Sequence, residues 1–243
     1  MILAGLIVGV MASSQTLVLT YHDIIPSRNK DSVWFDCTIQ EFRNQISWMV
    51  QKGAVFVSTE DVYQSLLTKK PLPKSAVCIT FADNYLGFYK YAWPILRTKK
   101  IPVTQFVHTG FVGSATGRPK MTWKQLIELD RTGLVTIGSQ TVSHPADLTK
   151  MSSRDVLSEF TMSKRELERK LGHPVFQLAY PNGKFNSIVS TLAKRAGYMA
   201  AFTEECRPAE MAPSEFLIPR YVHTKLREGW NSKSNKLKNP SRP

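Results

Sequence analysis

Cysteine is scarce in this chain. Cys37, Cys78 and Cys206 are the only three in 243 residues, an odd count with no metal-ligand spacing. That excludes a disulfide scaffold and a cysteine-built zinc module. Cys78 sits inside an apolar stretch and reads as a small core residue; a Cys37–Cys206 bridge stays open. Acidic residues are also few, 19 Asp and Glu against 32 Lys and Arg, a formal charge of +13. No basic motif interleaved with aromatics and no zinc-knuckle spacing accompanies that charge, so nucleic acid is not the expected partner. The surplus reads as a solvated basic surface. Its functional reading is attraction to a polyanion such as an anionic cell-surface polymer or membrane headgroups. No pair of carboxylates is placed as acid and nucleophile, which argues against glycoside hydrolysis. No internal repeat and no domain linker interrupts the chain. No apolar run is long enough to cross a bilayer. The longest, residues 1–12, is followed by Ser13-Ser14 and has no Lys or Arg before it. It reads as an export signal over residues 1–14, with a buried N-terminal strand as the competing reading.

What the chain does have is alternation. Short β-prone runs at Thr16–Thr20, Ala54–Val57, Val103–Val107, Val135–Ser139, Phe176–Tyr180, Met199–Phe202 and Phe216–Val222 alternate with helical periods. Thr38 with Glu41, and Thr122 with Gln125, have the spacing of capping boxes. In the first helix Phe42, Ile46, Met49 and Val50 are expected on one face, closed by Gly53. Tyr85–Thr98 reads as helical despite Pro94, and Ser153–Leu171 as a long charged helix. The pattern predicts an α/β architecture on a parallel sheet. From Lys225 onward the composition is polar and basic with no apolar period, which predicts disorder over residues 225–243. One domain over residues 15–224 is the expectation.

The chain is organised around Ala76-Val77-Cys78-Ile79-Thr80-Phe81-Ala82-Asp83-Asn84-Tyr85, a buried strand running into a single carboxylate. Side chains at such strand ends meet solvent at the mouth of a barrel. The stretch resembles motif one, Thr-Phe-Asp-Asp-Gly, of the NodB-homology polysaccharide deacetylases (carbohydrate esterase family 4). Thr80, Phe81 and Asp83 match; Ala82 and Asn84 do not. The second motif, His-x-x-x-His, corresponds to Gln140 and His144. Phe111-Val112-Gly113 and Tyr180-Pro181-Asn182-Gly183 also look like the family. Tyr21-His22-Asp23 resembles the branch acting on poly-N-acetylglucosamine.

The resemblance covers most of the chain, roughly residues 17–222, and implies an irregular (β/α) barrel. It implies a metal-dependent hydrolase of the N-acetyl amide, secreted or associated with the cell envelope, acting on N-acetylglucosamine-containing polysaccharide with zinc or another divalent metal. By position, Ala82 stands where the catalytic base belongs, and Asp83, Gln140 and His144 where the metal ligands belong. His22 stands as the acid. The backbone N–H of Asn182 is the oxyanion donor, since Pro181 has none. Tyr180, Pro181 and Arg220 fall in the substrate groove, with Arg220 alternatively holding a carboxylate. His108 ends another strand without an assigned role, and His173 and His223 read as surface. Alanine accepts no proton, and a neutral carboxamide is a poor zinc ligand. Loss of a positioned base typically costs about 10²–10⁴-fold in rate. The expectation is therefore a deacetylase fold with reduced or lost chemistry; the alternative is a non-catalytic carbohydrate-binding pseudoenzyme.

Overall fold

Six consecutive residues, Ala76–Phe81, are all buried and form the central strand of a computed structural model that describes residues 15–235. The proposed export signal and the last eight residues lie outside the described residues. The strands are β1 (Leu17–Tyr21), β2 (Ile24–Ile25), β3 (Cys37–Thr38), β4 (Val55–Val57), β5 (Ala76–Phe81), β6 (Val103–Val107), β7 (Val135–Ser139), β8 (Gln177–Ala179), β9 (Ala200–Phe202) and β10 (Tyr221–Val222). The helices are α1 (Ile39–Gln51), α2 (Thr59–Thr68), α3 (Trp93–Thr98), α4 (Trp123–Asp130), α5 (Ser153–Leu171), α6 (Ser187–Arg195) and α7 (Leu226–Asn235).

The main sheet runs β10-β1-β5-β6-β7-β8-β9, and every pairing in it is parallel. β4 takes the first half of one edge of β5, with Val55 opposite Ala76, and β6 takes the rest from Ile79. The expected last strand is regular only at β10. Its earlier part leaves β9, where Ile218 bridges Phe202, and crosses to β1, where Tyr221 pairs with Leu19. The curled sheet is thereby joined at its ends into an irregular α/β barrel. Parallel strands bring all their C-terminal ends to one mouth.

Period-two alternation sorts the two cores. Leu17, Leu19 and Tyr21 of β1 pack outward with the helices, whereas Val18 joins Cys78, Phe106, Ala179, Phe202 and Ile218 in a smaller inner cluster. Gly138 is required here: a Cβ on it would lie 2.7 Å from the Phe106 ring. All three cysteines are free, so no Cys37–Cys206 bridge forms.

Both capping boxes form as spaced, and Ser58 with Asp61 adds a third. Phe42, Ile46 and Met49 are buried on α1, but Val50 is 46% exposed. The helical reading of Tyr85–Thr98 holds over residues 86–98, with a π-helical stretch over Phe88–Ala92. Its register shift ends with Trp93 N–H bonded to Phe88 O, and Pro94 then falls in the first turn of α3, where no donor is needed.

The expected disorder after Lys225 is corrected. Residues 226–235 form α7, because Leu226 is buried and Trp230 meets Trp48 edge-on at 5.3 Å. Gly229 sits so close to β1 that a Cβ would lie 2.5 Å from Leu17. A few apolar anchors suffice where the partner surface is already built, which composition alone does not reveal.

Candidate functional site

The inward face of each strand continues past its end. His22 lies two residues beyond Thr20, Ala82 beyond Thr80, His108 beyond Phe106, Gln140 beyond Gly138 and Glu204 beyond Phe202. Alternation therefore aims all five at the mouth.

Asp83 is the hub. Its N–H donates to Gln140 Oε1 at 2.8 Å. Its carbonyl meets His108 Nε2 at 2.9 Å and accepts from Lys120 Nζ at 3.0 Å. Its Oδ1 lies 3.4 Å from His144 Nε2, buried and outside hydrogen-bonding geometry. Burial alone would raise the carboxyl, but His22, His144, His108 and Lys120 outweigh it and hold it below the usual range.

The backbone here is strained. Asp83, Asn84, Thr141, His144 and Asn182 all have positive φ, between 38° and 71°. Such residues cost about 1–3 kcal/mol each and cluster at functional sites. Asn84 tolerates the turn; its Oδ1 accepts from His108 N–H at 3.3 Å. The loop bearing His144 is held from α5, where Glu159 accepts the N–H groups of Val142 and Ser143 at 2.8 and 2.9 Å.

His22 is buried, which is the main reason its pKa is lowered, with Asp83 and Glu204 opposing. Its Nε2 lies 3.9 Å from Glu204 Oε1. Glu204 in turn accepts from Arg220 Nη2 at 3.3 Å.

Three expected substrate contacts are corrected. Arg220 is 0% exposed; besides Glu204 it donates to Thr203 O, Thr20 Oγ1 and Thr80 Oγ1, so it holds a carboxylate from inside the barrel. Tyr180 is also wholly buried, its hydroxyl donating to Phe216 O at 3.1 Å and its ring stacked on Phe185. Pro181 is buried as well. Asn182 remains exposed, and the turn's bonds run from Gly183 N to Tyr180 O and from Lys184 N to Pro181 O, sparing its own N–H. His223, read as surface, is buried and stacks on Tyr21 at 5.2 Å.

Lys120 and Glu204 are site residues that sequence reasoning missed; Lys120 sits on a loop where no period marks it, and Glu204, in step with Phe202, follows a strand of only three residues. Lys120 lies 3.4 Å above the Tyr85 ring, and burial lowers its pKa to about 8.

The donor set does not fit a metal. Gln140 must turn its oxygen to the Asp83 N–H, because the flipped amide would set two donors face to face. Its NH2 then faces His144 Nε2 at 3.2 Å, and that nitrogen accepts. The carboxamide oxygen and the imidazole lone pair are thus both committed to hydrogen bonds. Among the described residues no three His, Cys, Asp or Glu side chains gather as a metal cluster. Catalytic zinc ordinarily has three protein ligands.

A parallel barrel with a carboxylate and imidazoles at the C-terminal ends of its strands carries its polar groups where barrel enzymes carry their active sites. A family model described as polysaccharide deacetylase matches residues 69–201, more than half of the chain, and the chain belongs to that family. It is close to the poly-N-acetylglucosamine deacetylases. It is 27% identical over 205 residues to poly-beta-1,6-N-acetyl-D-glucosamine N-deacetylase of Staphylococcus aureus, covering 81% of this chain and 70% of that one. The Staphylococcus epidermidis protein of the same name is 28% identical over 231 residues, 86% of this chain and 79% of its own. Among solved structures, the Streptococcus pyogenes deacetylase PplD in complex with acetate superposes with TM-score 0.78 at 27% identity, covering 86% of this chain and 92% of its own. IcaB from Ammonifex degensii also reaches 0.78, at 25% identity, covering 91% and 97%. The family is metal-dependent, which sets this chain's donor set apart.

Proposed function

We propose that this protein binds N-acetylglucosamine-containing polysaccharide on a deacetylase fold with its N-deacetylation chemistry reduced or lost. One observation carries the reading: the Gln140 carboxamide ties the Asp83 N–H to His144 Nε2 across the position where the family holds its metal. Ala82 at the base position supports it, since no carboxylate stands there to take a proton from water. The acid and oxyanion parts remain in form. His22 sits at the mouth near Glu204, and the Asn182 N–H is spared by its own turn. With base and metal set missing, His22 and Asn182 serve to orient the acetamido group and the ring hydroxyls. Arg220 acts from beneath, fixing Glu204. No helix among the described residues is long and apolar enough to cross a membrane. We place the protein outside the cell or on its envelope, where such polymers lie and where its basic surface also meets anionic polymer.

The test is acetate release from a β-1,6-linked N-acetylglucosamine oligomer, with and without added zinc, alongside calorimetric binding of the same oligomer. The expected result is binding with little or no acetate, and well below one zinc per chain in protein purified without chelator. Rapid acetate release or stoichiometric zinc overturns the reading.

A further inference from the structure

Aromatic rings lead out of the mouth on two sides. Beyond β1, Phe35 lies against the His22 ring at 5.0 Å, and Trp34 stands edge-on to Phe35 at 5.6 Å. Beyond β6, Phe111 lies against His108 at 4.9 Å, and His108 against His144 at 5.4 Å. The outer ring on each side faces water: Trp34 is 64% exposed and Phe111 41%.

The loop carrying Trp34 is clamped. Arg118, from a different loop, pairs with Asp36, donates to Asp31 O at 3.1 Å and lies 5.7 Å from the Phe35 ring centre. Arg28 ties the same loop to Asp36 O and to Glu41 of α1. Beside it opens a cavity of about 230 Å³ lined by Asp23, Ser27, Asn29, Asp31, Ser32 and Arg118 among others. Carbohydrate recognition needs these two things together, a fixed apolar ring for the C–H face of a pyranose and polar groups for its hydroxyls. A clamped ring loses little freedom on binding.

We propose that Trp34, backed by Phe35, is a stacking platform for the sugar ring next to the one in the mouth, and that Phe111 is its smaller counterpart on the other side. The ligand class is a chain of N-acetylhexosamines, so the assignment rests on the carbohydrate reading above. Continuity decides the occupant: the platform begins at His22, and a polymer whose one ring lies in the mouth must pass over what borders it.

The experiment is calorimetric titration of the full chain with a β-1,6-linked N-acetylglucosamine pentamer. Trp34→Ala should weaken binding about tenfold, as expected for losing one covered aromatic face. Trp34→Phe should recover most of it, and Phe111→Ala should lose less. Ile188, 58% exposed on α6, supplies the control: Ile188→Ala should bind as wild type does. Wild-type affinity in Trp34→Ala overturns the platform and leaves the carbohydrate reading standing. Absence of pentamer binding by the wild type overturns both.

Discussion

The two sides of the mouth have been treated differently. On the β5–β7 side, Asp83, Gln140 and His144 are joined by hydrogen bonds of one neutral carboxamide. On the β1–β9 side, charge persists: Arg220, fully buried, holds Glu204, which faces His22. A buried guanidinium is costly to desolvate and stays satisfied only by keeping all its partners. On the reading proposed above, loss of catalytic groups on one side has therefore not loosened the other. The residues that define chemistry can be swapped for groups that hydrogen-bond in place, while those that support the barrel from within cannot.

The comparison breaks most visibly if chemistry can be put back. Ala82 shares the inward face with Thr80, whose hydroxyl accepts from Arg220 at 3.3 Å. An aspartate at 82 would thus point toward an existing cation. Gln140→His restores a third metal ligand. Base and metal act on the same water, so neither single variant should recover much. The double variant Ala82→Asp/Gln140→His should exceed the product of the singles, gaining about 10²–10⁴-fold in acetate release with zinc added. A folded, zinc-loaded double variant that releases no acetate would show that the groove has left deacetylation behind, and simple carbohydrate binding would become the favoured account.

Stability should separate the two sides next. Arg220→Met strands Glu204 and opens space inside the barrel. It should cost about 3–5 kcal/mol in urea unfolding, the range for breaking a buried pair from one end. Gln140→Ala leaves the Asp83 N–H unpaired and should cost only about 1–2 kcal/mol. Equal losses from the two variants would erase the distinction between a supporting side and a rewired side.

The fold was legible in the sequence where local signals are strong. Thr38 with Glu41 and Thr122 with Gln125 cap helices as spaced, and β5 ends at Phe81 and leads into Asp83 as its apolar run implies. The convergence of His22, Asp83, Gln140 and His144 followed from parallel strands ending at one mouth. What stayed hidden was depth and partnership. Arg220 and Tyr180 sit near strand ends, yet each is wholly buried, one inside the barrel and one in the outer core. Side-chain direction in irregular segments such as 216–220 has no period to read. α7 was masked because Leu226 and Trp230 bury against surface built by β1 and α1, far away in sequence. Lys120 reaches the mouth from a loop, and only tertiary structure shows it; Glu204 is in step with Phe202, but β9 is only three residues long.

The smallest effect tests the supporting side by pH. His223 is buried against Tyr21, and its Nδ1 has no hydrogen-bond partner. Burial is the main cause that lowers its pKa from 6.5 to about 4, with His22 and Arg28 acting the same way and Glu41 and Asp36 opposing. The folded state thus resists protonation that the unfolded state accepts. The unfolded chain binds more protons in this window, so stability rises with pH there and is lost as pH falls from 6.5 toward 4. Between about pH 7 and about pH 5.5 the contribution of this one residue should be about 1 kcal/mol. His223→Gln keeps a polar side chain of similar reach and cannot titrate. Its unfolding free energy should therefore decline less over that interval than that of the wild type, by about the same 1 kcal/mol. Parallel curves for the two proteins would mean that His223 takes up its proton in the folded state without penalty, and that the interior beneath His22 admits charge more freely than its packing implies.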